Sequence, residues 1–152
     1  MKTKRPLSIY IHIPFCVRKC LYCDFLSAPA SGETMEAYAS CLCREIEAAG
    51  KLYPDYEVRT VFFGGGTPSI LKKERICQIM EVLRRAFSLA EDAEITIEVN
   101  PGTVDADKLA AYYAAGINRL SIGVQSLQEN ELQALGRIHS TEDFFQTYSM
   151  AI

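Results

Sequence analysis

Three cysteines, Cys16, Cys20 and Cys23, fall within IHIPFCVRKCLYCDF, residues 11–25, at the spacing C-x3-C-x2-C. A loop can wrap three such thiolates around one inorganic cluster, whereas a regular strand sends neighbouring side chains to opposite faces. Zinc is the rival ligand, but cysteine-built zinc sites use four closed ligands in paired knuckles, and no second knuckle follows here. Arg18 and Lys19 are cations that favour thiolate over thiol, which argues against a set of merely buried cysteines. Three thiolates on a four-iron cluster leave one iron without a protein ligand, open to a small molecule. The run ends at Phe25 without a fourth cysteine.

Three further stretches carry chemistry. FGGGTPS, residues 63–69, holds three consecutive glycines, which let a backbone approach a ligand and expose its amide groups. It lacks the Gly-Lys-Ser/Thr ending of a phosphate-binding loop. Glu98 in EVNPG offers a carboxylate and Gln125 in GVQS an amide.

The elements that must position these groups are legible as strand-like runs at 7–13, 58–63, 94–99 and 119–124. One chemical group lies at or just past the end of each. Apolar residues at helical spacing predict helices over 34–50 and 71–88, the latter with Ser69 as a candidate cap. A third spans 105–115, starting near Thr103 or Asp105 and stopping at Gly116; others begin near Leu127 and at Thr141. Four strand-then-helix units with tight connections predict an α/β fold, with parallel strands joined by right-handed crossovers in an open sheet or part of a barrel. In such folds ligands bind at the carboxyl edge, where the cysteines, glycines, carboxylate and amide all arrive. A closed eight-unit barrel needs about 250 residues. With 152 residues and a last helix that has no natural stop, the chain reads as the N-terminal portion of a longer barrel domain.

The strands alternate: Ile9, Ile11 and Ile13 against Ser8, Tyr10 and His12; Ile95, Ile97 and Val99 against Glu94, Thr96 and Glu98; Leu120, Ile122 and Val124 against Arg119, Ser121 and Gln125. The apolar face suits packing on helices. The other face is too polar for a dry core and suits the lining of a ligand-filled cavity.

A net charge of -3 and the lack of a basic stripe argue against a nucleic-acid partner. The basic start, Lys2, Lys4 and Arg5, is followed by too few apolar residues for a signal peptide or a transmembrane span. A cytoplasmic protein is the expectation, and in that reducing compartment its six cysteines are free thiols, available to metals or chemistry.

With these features in place, the sequence resembles the radical S-adenosylmethionine (SAM) superfamily, whose CxxxCxxC loop carries a [4Fe-4S] cluster. YIHIPFCVRKCLYCDF, FFGGGTPSIL, IEVNPGT, GINRLSIGVQSL and LGRIHS look like successive motifs of its coproporphyrinogen oxidase-like branch, in order and over nearly the whole chain. The resemblance implies a partial, TIM-like (βα)6 barrel, of which four parallel βα units are present. It implies a cluster whose open iron chelates SAM, and one-electron cleavage of SAM to a 5'-deoxyadenosyl radical. By the same resemblance Cys16, Cys20 and Cys23 ligate iron, while Tyr10, Gly65, Gly66, Thr67 and Glu98 contact SAM. Tyr22, Gln125 and Arg137 match positions that touch a second SAM in the family's oxidase.

Two functions occur in this branch. One is oxygen-independent dehydrogenation of coproporphyrinogen III, in which two propionates become vinyl groups. The other is heme binding and delivery by heme chaperones that keep the cluster and SAM site. The oxidase resembles CxxxCxxCxC, and Phe25 stands where its fourth cysteine would be, so the sequence is more similar to the chaperones. The implied partners are a tetrapyrrole, either heme or coproporphyrinogen III, and an electron donor such as flavodoxin or ferredoxin.

Other residues read as structural. Cys41, Cys43 and Cys77 suit small buried side chains, with Cys41 and Cys43 facing different ways on one helix. His12 suits either a hydrogen-bonding or a ligating role on the polar strand face, and His139 either the site mouth or the surface. Glu94 and Arg119 are placed to pair across the lumen. Lys72, Lys73, Arg84 and Arg85 suit a solvated helix face.

Overall fold

Period-two alternation and helical stripes fold as parallel βα units in a computed structural model that describes residues 4–152. Lys2 of the basic start lies outside the described residues. The strands are β1 (Arg5–Ile13), β2 (Tyr56–Gly65), β3 (Ser88–Val99) and β4 (Arg119–Ile122). They form one sheet in the order β1-β2-β3-β4, every neighbouring pair parallel. All four therefore end at the same edge. The helices are α1 (Gly32–Gly50), α2 (Lys73–Ala86), α3 (Ala106–Ala114), α4 (Glu129–Ala134) and α5 (Thr141–Ala151).

The apolar strand face is the core. Ile11, Ile13, Val61, Phe63, Ile95 and Ile97 pack with Ile46 of α1 and Ile76, Ile79, Met80 and Leu83 of α2, all buried. Fully burying one such side chain contributes about 1.5–3 kcal/mol, so this face holds the strand ends in place. The polar face behaves less uniformly than its pattern suggests. Ser8 and Arg119 are exposed and Thr96 is buried, while Glu98 and Ser121 at the carboxyl end line a cavity.

Helix starts follow their caps where a side chain is free to serve. Ser31 accepts from the Thr34 amide (3.1 Å), Asp105 accepts from the Lys108 amide (2.7 Å), and Ser140 with Asp143 forms a reciprocal box. Ser69 does not cap α2. It lies fully buried in a single 3-10 turn, its oxygen 2.6 Å from Thr103 Oγ1, and α2 begins after Lys72 without a side-chain cap. That tertiary hydrogen bond, with Pro68 setting the turn, occupies the hydroxyl the cap would need. α2 also stops earlier than its pattern suggests. Phe87 is extended (φ -126°, ψ 153°), and Ser88 and Leu89 join the sheet opposite Glu57 and Val58. Pairing with a neighbouring strand overrides local propensity there.

The helix charges are paired rather than simply solvated. Lys72 and Arg75 both meet Glu36, Lys73 meets Asp107, and Arg85 meets Glu47 at 3.0 Å. Arg84 donates to the Ala115 carbonyl (2.9 Å) where α3 ends, just before Gly116. Cys43 is buried and Cys77 half-buried, but Cys41 is exposed; the helix turns its two cysteines to opposite sides.

The outer edge of β4 has no strand partner among the described residues. Beside it runs an apolar groove lined by Leu109, Tyr113, Leu120, Ile122, Tyr148 and Ile152. Unpaired edges and exposed apolar surface promote association. The 152-residue chain by itself is expected to self-associate, and sedimentation velocity is the check; a monodisperse, cooperatively unfolding monomer would contradict this.

Candidate functional site

The cysteine loop leaves β1 and is closed at its base. Ala28 N–H donates to Pro14 C=O (3.0 Å) and Cys16 N–H to Ala28 C=O (3.3 Å), so residues 16–27 form a loop anchored beside the sheet. His12 ties down its return: Nε2 lies 3.0 Å from the Leu26 carbonyl and Nδ1 3.1 Å from the Tyr10 hydroxyl. A carbonyl only accepts, so Nε2 carries the hydrogen, while Nδ1 accepts from the Tyr10 hydroxyl in the neutral ring and donates to it in the charged one. His12 is thus a hydrogen-bonding residue. Lys19 Nζ donates to Phe25 C=O (3.1 Å) and Arg18 to Gly136 C=O (3.0 Å), which shapes the loop further.

The glycine turn packs against the base of that loop. Gly66 N–H donates to Ile13 C=O (2.8 Å) and Thr67 N–H to Phe15 C=O (2.7 Å), so these amides are spent on closing the turn against the cysteine loop rather than exposed to a ligand as the glycine run suggested. Gly65 has φ +119°, a left-handed conformation that L side chains rarely adopt, and its N–H donates to Glu98 Oε2 (3.2 Å). A Cβ on Gly66 would overlap the Phe15 carbonyl oxygen.

Burial pushes the Glu98 carboxyl above its ordinary value near 4.5, while the Gly65 N–H and His12 act in the opposite direction. A carboxyl raised in the folded state holds its proton more tightly there than in the unfolded chain. Stability therefore falls as pH rises from the ordinary value through the raised one, and the penalty persists above it. Glu98→Gln is expected to flatten this decline. Denaturation of the unloaded protein from about pH 4 to about pH 7 is the check, and a slope unchanged by the substitution would count against it.

These groups converge on a cavity of about 290 Å³ at the carboxyl edge, near the lower end of small-molecule pockets. Cys16, Cys20, Cys23, Tyr22, Gly65, Gly66, Thr67, Glu98, Gln125 and Arg137 all line it. Phe25 lines it too, 68% exposed at the mouth. Tyr10 does not; it is 60% exposed on the same strand face, stacked on Phe62 with ring centroids 6.1 Å apart.

Arg137 links the parts. Nη1 points to Cys20 Sγ (3.5 Å) and the Tyr22 hydroxyl (3.4 Å), and Nη2 donates to Gly123 C=O (2.7 Å) and Asn100 Oδ1 (3.0 Å). Asn100 Nδ2 donates to Thr67 Oγ1 (2.9 Å), so the glycine turn, the β3 exit and the cysteine loop share one network. Asn100 is a site residue that sequence reading missed; its one signal was its place in EVNPG, two residues past Glu98. Ser69, Thr103 and Lys108, which donates to Thr103 C=O (3.2 Å), brace the same loop from behind. His139 is no surface histidine but buried. Glu94 and Arg119 do pair, at 3.5 Å and half exposed.

The donor set suits an iron–sulfur cluster. The six cysteines are free, and three of them share the cavity wall. Among the described residues no three His, Cys, Asp or Glu are gathered closely enough to hold a single metal ion. A cluster makes no such demand, since each thiolate binds a different iron. Arg137 Nε–H is buried with no hydrogen-bond partner among the described residues.

Parallel βα units with a three-cysteine loop after the first strand define a class, and residues 10–152 match the radical SAM superfamily. The chain belongs to that superfamily, whose members carry a [4Fe-4S] cluster and SAM. Among individual proteins it is similar to heme chaperone HemW of Escherichia coli (strain K12), 48% identical over 139 residues that cover 91% of this chain and 37% of that one. It is also similar to the mitochondrial radical S-adenosyl methionine domain-containing protein 1 of Bos taurus, 42% identical over 144 residues, 95% of this chain and 33% of that one. The solved structure of coproporphyrinogen III oxidase (HemN) from Escherichia coli, a radical SAM enzyme, superposes with a TM-score of 0.90 at 35% identity, covering 99% of this chain and 35% of that chain. The four-stranded sheet is thus built like part of HemN's partial TIM-like barrel. The chain spans about a third of the length of these relatives.

Proposed function

We propose that the chain is the cluster- and SAM-binding portion of a heme chaperone, a protein that binds heme and delivers it to acceptor proteins. The observation that carries this is Phe25. It occupies the cavity mouth two residues after Cys23, where a decarboxylating oxidase of this branch would have a fourth cysteine. The likeness to HemW supports the same choice.

In this reading Cys16, Cys20 and Cys23 hold the cluster, which when bound supplies one-electron reducing power and an open coordination position. Gly65, Gly66 and Thr67 offer close backbone approach to SAM, and Glu98 offers carboxylate acceptors. Tyr22, Gln125 and Arg137 line the same cavity, at positions that match contacts to a second SAM in the family's oxidase, whereas Tyr10 lies outside it on the same strand face. The base of the cysteine loop, closed on Pro14 and Ala28, holds the thiols beside the sheet. All six cysteines are free, which suits a reducing compartment such as the cytoplasm. No described helix is long and apolar enough to cross a membrane. A flavodoxin or ferredoxin would supply the electron.

The second reading is oxygen-independent coproporphyrinogen III dehydrogenation, favoured by the 0.90 TM-score to HemN. One experiment separates them. The full-length protein, reconstituted anaerobically, is given SAM, a reductant and coproporphyrinogen III. A cluster-loaded protein that makes no decarboxylated tetrapyrrole yet binds heme stably supports the chaperone; product at catalytic turnover would establish the dehydrogenase instead.

A further inference from the structure

His139 is 6% exposed, although none of the roles assigned above requires it. Its Nε2 lies 3.2 Å from the Val124 carbonyl oxygen and its Nδ1 3.2 Å from Arg137 Nη2. A carbonyl only accepts and a guanidinium only donates. One neutral tautomer satisfies both contacts, with hydrogen on Nε2 and a bare lone pair on Nδ1. Burial, and next the Arg137 charge, lower the imidazole pKa, in keeping with that neutral form.

The two carbonyls this pair holds are consecutive. Arg137 Nη2 takes Gly123 C=O and His139 takes Val124 C=O. They immediately precede Gln125, the one non-glycine residue with left-handed backbone (φ 66°) among the described residues. At its other end the same guanidinium reaches Cys20 Sγ. The two hydrogens of Nη2 face three acceptors, Gly123 O, Asn100 Oδ1 and His139 Nδ1, so the imidazole lone pair helps decide how the fork is turned.

We propose that His139 is a positioning residue: held between Val124 and Arg137, it aims the guanidinium at Cys20, fixes the Gln125 turn, and so sets the reduction potential of a cluster bound there. This rests on the reading that Cys16, Cys20 and Cys23 hold an iron–sulfur cluster. Hydrogen bonds to cluster sulfurs help set reduction potential. A donated N–H stabilises the added electron and raises the potential, so a guanidinium no longer held by His139 lowers it.

The test is an EPR-monitored redox titration of the reconstituted full-length protein without SAM, with iron content and circular dichroism measured on every variant. His139→Leu is expected to shift the midpoint in the negative direction, as Arg137→Gln does, and the double variant to go no further than Arg137→Gln alone. His139→Asn keeps an acceptor where Nδ1 sits and is expected to restore most of the wild-type potential. His139→Gln, which keeps only reach toward Val124, is expected not to. A fully loaded His139→Leu at the wild-type potential, or shifts that simply add in the double variant, would overturn the proposal. Should His139→Leu fail to fold, the Asn and Gln variants decide, equal potentials in the two overturning it. Failure of the wild-type protein to take up iron would defeat the cluster reading itself, and the inference with it.

Discussion

Cys20→Ser in the full-length protein is expected to abolish cluster uptake while leaving the fold intact. Cys20 is only half-buried and lies outside the apolar core, so little packing is lost. Its sulfur faces the cavity and the Arg137 guanidinium. Two thiolates cannot hold a cluster that needs three, and a serine oxygen is a harder and more basic ligand than the thiolates iron–sulfur clusters are built on. Iron and sulfide analysis, visible absorbance and EPR after anaerobic reconstitution should fall to background, with circular dichroism unchanged. Cys41→Ser is the control, because Cys41 is exposed on α1, away from the cavity. If Cys20→Ser retained a full cluster, or Cys41→Ser lost it, the assignment of ligands would be wrong.

Gly66→Ala is expected to damage both stability and cofactor binding although it removes no chemical group. The added methyl would overlap the Phe15 carbonyl oxygen, and would sit 2.8 Å from its carbon and 3.0 Å from Ser27 Cβ. Phe15 has nowhere to retreat. Its carbonyl accepts from Thr67 N–H, and its ring packs edge-on against Tyr38 with centroids 5.2 Å apart. Relief therefore requires the glycine turn and the cysteine loop to separate, which costs about 1–3 kcal/mol on the scale of overpacked sites and misplaces both halves of the cofactor site. Denaturant unfolding should show the lost stability, and calorimetric titration of the cluster-loaded protein should show weaker SAM binding. Gly32→Ala meets nothing within 4 Å among the described residues at the start of α1 and should leave both unchanged. Equal behaviour of the two variants would remove the steric explanation.

Much of the molecule is legible along the chain because the relevant signals are local. The C-x3-C-x2-C spacing, the glycine run and the period-two strands each depend on neighbours a few residues apart, and parallel topology then brings the strand ends to one edge. Asp105 and Gly116 mark the ends of α3 for the same reason, through backbone groups the helix itself leaves open. Where local rules failed, a distant partner had intervened. Thr103 claimed the hydroxyl of Ser69, and β2 drew Ser88 and Leu89 into the sheet.

By itself, the sequence determined which groups are present and at which edge they arrive: thiols, the glycine turn, the Glu98 carboxylate and the Gln125 amide. Only the tertiary structure decided how they are wired. Arg137 lies 117 residues from Cys20 and 37 from Asn100 in the chain, and the buried His139 meets Val124, 15 residues before it at β4's exit. Such contacts follow from the packing of whole elements, and hydrogen bonds between residues so far apart leave no periodic trace in the chain that forms them.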